Sequence, residues 1–148
     1  MNGHPSPPRI LLPAAASAAA PPSRPLLLCP VAAGWPSPAE DYIEGTLNLH
    51  EHLVRNGPAT FFVKAGGDSM IGAGIHEGDL LVVDRSLASR PGRVVIACLE
   101  GEFTVKRLEK RGKRLFLVPE NPAYEAIDIT EREDVAIWGV VTNVIHPL

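Results

Sequence analysis

Lysine is scarce in this chain of 148 residues, occurring only as Lys64, Lys106, Lys110 and Lys113. Cysteine is scarcer still: Cys29 lies in a proline-rich segment and Cys98 inside the apolar run "RVVIACLE". Two isolated thiols exclude a disulfide framework and point to a reducing, cytoplasmic setting. No Cys-His spacing suits zinc, so neither a metal nor any other cofactor is expected. No apolar run approaches the roughly 20 residues of a membrane span. A P-loop, an internal repeat and a coiled coil are absent as well. The net charge is −3, and residues 1–33 hold Arg9 and Arg24 without any acid, which leaves −5 on residues 34–148. Binding of nucleic acid needs clustered cations to neutralise phosphates. The one cluster, "KRLEKRGKR" at 106–114, contains Glu109 and reads as a solvated hairpin turning at Gly112, so no direct nucleic-acid contact is expected.

Proline and alanine are plentiful, but unevenly placed. Ten of the fifteen prolines fall in the first 38 residues beside a run of alanines, a composition that favours an extended arm over a core. A secretory signal fits poorly, because Pro13 interrupts "ILLPAAASAAA" and more prolines follow it. The texture changes at "SPAE", where Ser37 as N-cap, Pro38 at the first helical position and Glu40 predict a short helix. A second helical segment is predicted over 47–54, ended by Asn56-Gly57-Pro58. Strands are predicted at 60–65, 80–84, 93–99, 102–110, 113–119, 127–129 and 136–145, separated by Gly- and Pro-containing turns. Such short spacing describes a mostly β body, an antiparallel sheet or small barrel.

The stretch "FFVKAGGDSM", 61–70, runs from a strand into two glycines and an Asp-Ser-Met tip. Glycine permits φ > 0 and a close backbone approach, which would leave the Ser69 hydroxyl exposed beside free N–H groups; an ordinary surface turn uses the same residue types. A serine nucleophile needs a base, and histidine is the usual one. None of the five histidines fits: His4 lies in the arm, His146 near the end, and His76 on the surface of a turn. His50 and His52, two apart on a helix, point in different directions and do not form a joint metal site. Lysine is the other known base, provided that it loses its proton. At a free pKa of about 10.4, roughly one lysine in two thousand is neutral at pH 7, and burial shifts that balance. Lys106 stands in "EFTVKRL", where strand alternation puts it on the side of Thr104 and Leu108; a solvent-facing strand lysine reads the same way.

"GDSMIGAGIHEGDLLVVD", a lysine 37 residues after its serine in "GEFTVKRL", then "NPAY" and "WGVV", together resemble the UmuD family within the LexA-like self-cleaving Ser-Lys proteins. The resemblance covers about Gly34 to Val144. It implies a LexA- and signal-peptidase-like fold of coiled antiparallel sheets, with Ser69 as nucleophile and Lys106 as general base. The glycines then let an oxyanion approach backbone N–H groups of Asp68 and Ser69. It further implies that the chain cuts its own arm, and "VAAGWPSPAEDY" offers Ala33-Gly34 as the bond, separating an arm of 1–33 from a peptidase domain of 34–148. The long Pro/Ala-rich stretch before this bond departs from the family pattern.

By the same resemblance, a RecA filament on single-stranded DNA stimulates the cut. The trimmed homodimer then joins a UmuC-like Y-family polymerase in error-prone translesion synthesis during the SOS response to DNA damage. Apolar residues on both faces of "VAIWGVVTNVIHPL" fit either a dimer contact or a central strand covered within one subunit. Two other readings stand beside this one: a LexA-like binding module whose Ser-Lys pair is inactive, and a signal-peptidase-like processing enzyme. Against the second, "IGAGI" follows Ser-Met where a proline-containing box belongs. A LexA-type repressor needs a helix-turn-helix that residues 1–33 do not supply.

Overall fold

A computed structural model describes residues 23–27, 31–35 and 44–148. They fall in two compact units, one within residues 15–55 and one holding residues 56–148. In the smaller unit, β1 (Arg24–Leu27) pairs antiparallel with β2 (Glu44–Leu47), with Arg24 opposite Leu47. The sequence reading expects neither strand. Pro25 lacks an N–H and suits an edge strand, and all four β1 residues are exposed, so no alternation of burial marks the element. The short helix α1 (Leu49–Leu53) follows, capped by Asn48, whose side chain accepts from the Glu51 N–H at 3.1 Å. The helix predicted from Ser37 lies outside the described residues, as does Cys29. Cys98 is a free thiol.

The larger unit is mostly β, as the spacing of its turns predicts, with single 3-10 turns at Gly57–Ala59 and Ile71–Ala73. Its strands are β3 (Thr60–Lys64), β4 (Leu80–Asp84), β5 (Val94–Leu99), β6 (Glu102–Arg111), β7 (Arg114–Val118), β8 (Ile127–Asp128) and β9 (Val135–Ile145). They form one antiparallel sheet in the order β3-β4-β9-β5-β6-β7-β8. Between β5 and β6 the turn residues Glu100 and Gly101 both have positive φ, 52° and 79°, the twist that matches a two-residue hairpin. Gly112, with φ of 62°, turns β6 into β7 at the predicted place.

β9 is the central strand, hydrogen-bonded to β4 on one side and β5 on the other. Its ladder slips by one residue at Trp138 against β5 and again at Thr142 against β4. Each such bulge bends the strand and increases its twist. The curled sheet thereby covers two apolar clusters. One gathers Val63, Met70, Ile75, Leu81, Val83 and Ile96, with Val141 and Val144 of β9 against it; the other gathers Val95, Leu108, Leu117, Ile129 and Val140. Of the apolar residues of β9, Val140 is buried in the second cluster, Val141 and Val144 are partly covered by the first, and Ile145 remains 42% exposed, so the pattern fits a dimer contact as well as a strand covered within one subunit.

At the first bulge, Arg85 donates to the Trp138 carbonyl at 2.8 Å and lies over the indole ring, which also meets Phe61 and Phe103. Gly139 next to it has no room to spare: an added Cβ would meet Val83 Cγ1 at 2.6 Å. Since Val83 is fully buried and cannot swing away, Gly139→Ala is expected to lower stability by about 1–3 kcal/mol, the usual cost of overpacking. Thermal unfolding checks this against Gly57→Ala, whose Cβ would meet nothing within 4 Å. Equal melting temperatures for the two variants would contradict it.

Candidate active site

The segment after β3 leaves the sheet, crosses the Gly-Asp-Ser-Met turn and returns as β4. Its base is closed by two backbone bonds, Gly78 N–H to the Ala65 carbonyl and Ala65 N–H to the Asp79 carbonyl, both 2.8 Å. Of the two glycines before the tip only Gly67 has positive φ, at 74°; Gly74 beyond it has 79°. The turn is anchored inward by Met70, which is 2% exposed and packs in the first apolar cluster. Its hydrophobic side chain fixes where the preceding Ser69 can stand.

A second clamp comes from the loop after β7. Glu120 N–H donates to the Ser69 carbonyl at 2.8 Å, and the Glu120 carbonyl accepts from Gly72 N–H at the same distance. Asn121 Nδ2 donates to the Asp68 carbonyl at 3.0 Å, and the Tyr124 hydroxyl donates to Asp68 Oδ1 at 2.5 Å. That bond, reinforced by the carboxylate charge, raises the Tyr124 pKa. Gly72 allows the approach, since a Cβ there would stand 2.7 Å from the Glu120 carbonyl oxygen. These clamping roles were not read from the sequence. "NPAY" at 121–124 was the available signal, but nothing in a linear string says which backbone it grips.

Lys106 arrives from the other direction, on β6 opposite Val95. Its ammonium-bearing chain is buried, 8% exposed, and Nζ lies 2.9 Å from Ser69 Oγ. Nζ also donates to Thr104 Oγ1 at 2.8 Å and to the Val105 carbonyl at 3.0 Å, so Thr104 and Lys106 share a face as the strand alternation predicts. Among the described residues Lys106 makes no ion pair, and burial alone lowers its pKa from the usual lysine value. The inventory of the neutral amine matters here. It has two N–H donors and one lone pair; the Val105 carbonyl can only accept, Thr104 takes the other N–H, and the lone pair is left facing the Ser69 hydroxyl. Such an arrangement can draw a proton from Ser69 Oγ.

Two further expectations meet the structure as follows. Ala33 and Gly34 belong to the exposed segment 31–35 of the smaller unit. Among the described residues the Asp68 and Ser69 amides donate to no backbone carbonyl. Histidines 50 and 52 sit exposed on α1. His76 lies in the loop as read, its side chain 44% exposed, but its Nδ1 is buried and its ring lies against that of His146 at a centroid distance of 4.4 Å. Both rings face Asp79, which is 1% exposed. Burial pushes the Asp79 pKa up, but the His76 N–H and the His146 imidazole outweigh it and hold the carboxyl below its usual range.

Comparison with known proteins agrees with the resemblance read from the motifs. The chain belongs to the peptidase S24-like family, whose profile matches residues 25–142. It is 47% identical to the protein MucA of Salmonella typhimurium over 129 residues, covering 85% of this chain and 88% of MucA. It is 50% identical to SamA of the same species over 118 residues, 80% of each chain. LexA repressor 2 of Pseudomonas syringae pv. tomato is 42% identical over 116 residues, 78% of this chain but 57% of the repressor.

The buried amine has a consequence for stability. With its folded-state pKa depressed, Lys106 releases its proton more readily in the folded chain than in the unfolded one, so folding grows more favourable as pH rises from the folded-state pKa toward 10.5. Lys106→Met removes the titrating group. The difference in stability between Lys106→Met and the parent should therefore shift in the parent's favour as pH rises through that window, as measured by chemical unfolding of both at several pH values. A pH-independent difference would mean that the amine is hydrated and its pKa ordinary.

Proposed function

We propose that this S24-like chain is a self-cleaving serine endopeptidase of the SOS response, cutting its own Ala33-Gly34 bond with Ser69 and Lys106. The observation that carries the reading is the buried Lys106 amine 2.9 Å from Ser69 Oγ, its pKa lowered by desolvation and no histidine within that pair. Neutral Lys106 takes the Ser69 proton as Oγ attacks the Ala33 carbonyl carbon. The oxyanion is received by the Asp68 and Ser69 amides. As the tetrahedral species collapses, the C–N bond breaks, Lys106 passes its proton to the Gly34 nitrogen, and an ester joins Ala33 to Ser69. Water then attacks that ester, delivering its proton to Lys106 and restoring the serine.

Family membership and the similarity to MucA and SamA support the biological side of the proposal. A RecA filament on single-stranded DNA stimulates the cut, and residues 34–148 then act as a homodimer with a UmuC-like Y-family polymerase. Dimerisation rests on the resemblance, and β9 leaves Ile145 exposed with Val141 and Val144 only partly covered. Among the described residues no helix is long and apolar enough to cross a membrane, and the S24-like match favours self-cleavage over signal-peptide processing. The inactive-module alternative has no structural observation in its favour, because the pair is within hydrogen-bonding distance.

Incubation of the purified chain across pH 7 to 10, followed by intact mass, tests the proposal. Cleavage should accelerate with pH until the folded-state pKa of Lys106 is passed, and Ser69→Ala or Lys106→Ala should each abolish it. The large product should begin Gly34-Trp35-Pro36. Gly34→Glu should block the cut by placing a charge where the chain must be desolvated. A Lys106→Ala chain that cleaves at the parental rate would remove the Ser-Lys assignment, whereas a different N-terminus would remove only the cleavage site.

A further inference from the structure

One group of side chains in the larger unit has no part in the proposed reaction. His76 and Asp79, from the turn that leads into β4, meet His146, which directly follows β9, 67 positions beyond Asp79. Each offers one ligating atom, and those atoms all lie within 4.8 Å of one another. Asp79 needs only part of this company. One carboxylate oxygen accepts from His146 Nδ1 at 2.6 Å and the other from the His76 backbone N–H at 2.7 Å. The His76 ring is surplus to that account: its Nδ1 is buried, 3.7 Å from Asp79 Oδ2, and makes no hydrogen bond. A buried imidazole nitrogen without a partner is costly and calls for an occupant.

We propose that His76, Asp79 and His146 form a binding site for a divalent transition-metal ion of the zinc type. Two imidazoles and one carboxylate are ligands of the right softness for zinc, and three protein ligands leave a fourth position for water. In a tetrahedral site with bonds of about 2.0–2.2 Å, ligand atoms stand roughly 3.3 Å apart. His146 Nδ1 stands 2.6 Å from one Asp79 carboxylate oxygen and His76 Nδ1 3.7 Å from the other, with the three ligating atoms within 4.8 Å of one another, so rotations of the two rings are needed to bring both nitrogens to that separation from a single oxygen. Half-exposed rings can make them: the side chains of His76 and His146 are 44% and 39% exposed, while Asp79 is fixed in the interior. The ion would staple the end of β9 to the base of the Ser69 loop, where Asp79 already holds Ala65 through its backbone.

The test uses the full chain carrying Ser69→Ala, which prevents self-cleavage, with His4, His50 and His52 replaced by alanine so that only His76 and His146 remain as imidazoles. After treatment with a chelator, zinc is titrated by calorimetry and cobalt by its visible absorption. The expected result is one zinc ion per chain at micromolar affinity or tighter, a tetrahedral cobalt spectrum, and a melting temperature that rises with zinc. His76→Gln and His146→Gln should each weaken binding tenfold or more and remove the thermal shift. These exposed-edge substitutions spare Asp79, whose loss would threaten folding. The proposal is overturned by absence of binding at millimolar zinc, or by affinity that survives either glutamine substitution, which would leave Asp79-His146 as a hydrogen-bonded pair only.

Discussion

Everything at the candidate active site depends on keeping one amine out of water. Among the described residues of the larger unit Lys106 is the only buried cationic side chain, and it is not rescued by a carboxylate. Burial without a counter-ion is unfavourable for an ammonium group and lowers its pKa. The sheet absorbs this cost. Lys106 is held within a ten-residue strand, paired to Val95 in the middle of the antiparallel ladder, with Leu108 of the same face locked into the second apolar cluster. Apolar packing that stabilises the fold thus supplies the low-dielectric setting that lowers the Lys106 pKa.

Ser69 is positioned by the opposite strategy. A turn carrying glycines has few apolar contacts of its own, and an unanchored turn would leave Oγ wandering over a distance larger than a hydrogen bond. Three attachments prevent this: Met70 buried on the inside, Glu120, Asn121 and Tyr124 gripping one flank, and the Asp79 backbone closing the base. Most of these bonds reach backbone atoms. They fix the path of the chain whatever the neighbouring side chains are, and they leave the Ser69 hydroxyl free to meet Lys106.

The β body was legible in the sequence because it leaves a local trace, whereas the pairing of Ser69 with Lys106 came only from the family resemblance. Turn residues fall at short intervals, and β4 is predicted at Leu80–Asp84 and found there. The alternation of "EFTVKRL" places Thr104 and Lys106 on one face, as their shared hydrogen bond shows. What was illegible is non-local or lacks periodicity. β1 carries a proline and buries nothing, so its pairing with β2 leaves no hydrophobic signature. His76 reads as a turn residue until the chain end brings His146 against it across 70 positions. The two bulges in β9, which split its apolar residues between two clusters, also leave no trace in the order of hydrophobic positions.

Under the proposed function, docking of the arm and activation of the base are linked. A peptide laid across Ser69 displaces water from the Lys106 side of the site, and further desolvation lowers the amine's pKa again, so the neutral fraction rises as substrate arrives. The reverse must hold by linkage: a protonated Lys106 opposes the dry, docked state, because closing the site over it buries an uncompensated charge. Where Lys106 is protonated the two penalties act together, and self-cleavage waits on an event that is uphill in both docking and deprotonation. A filament that binds the docked form would contribute to both at once without touching either reacting residue, which is how a surface partner can accelerate chemistry it takes no part in.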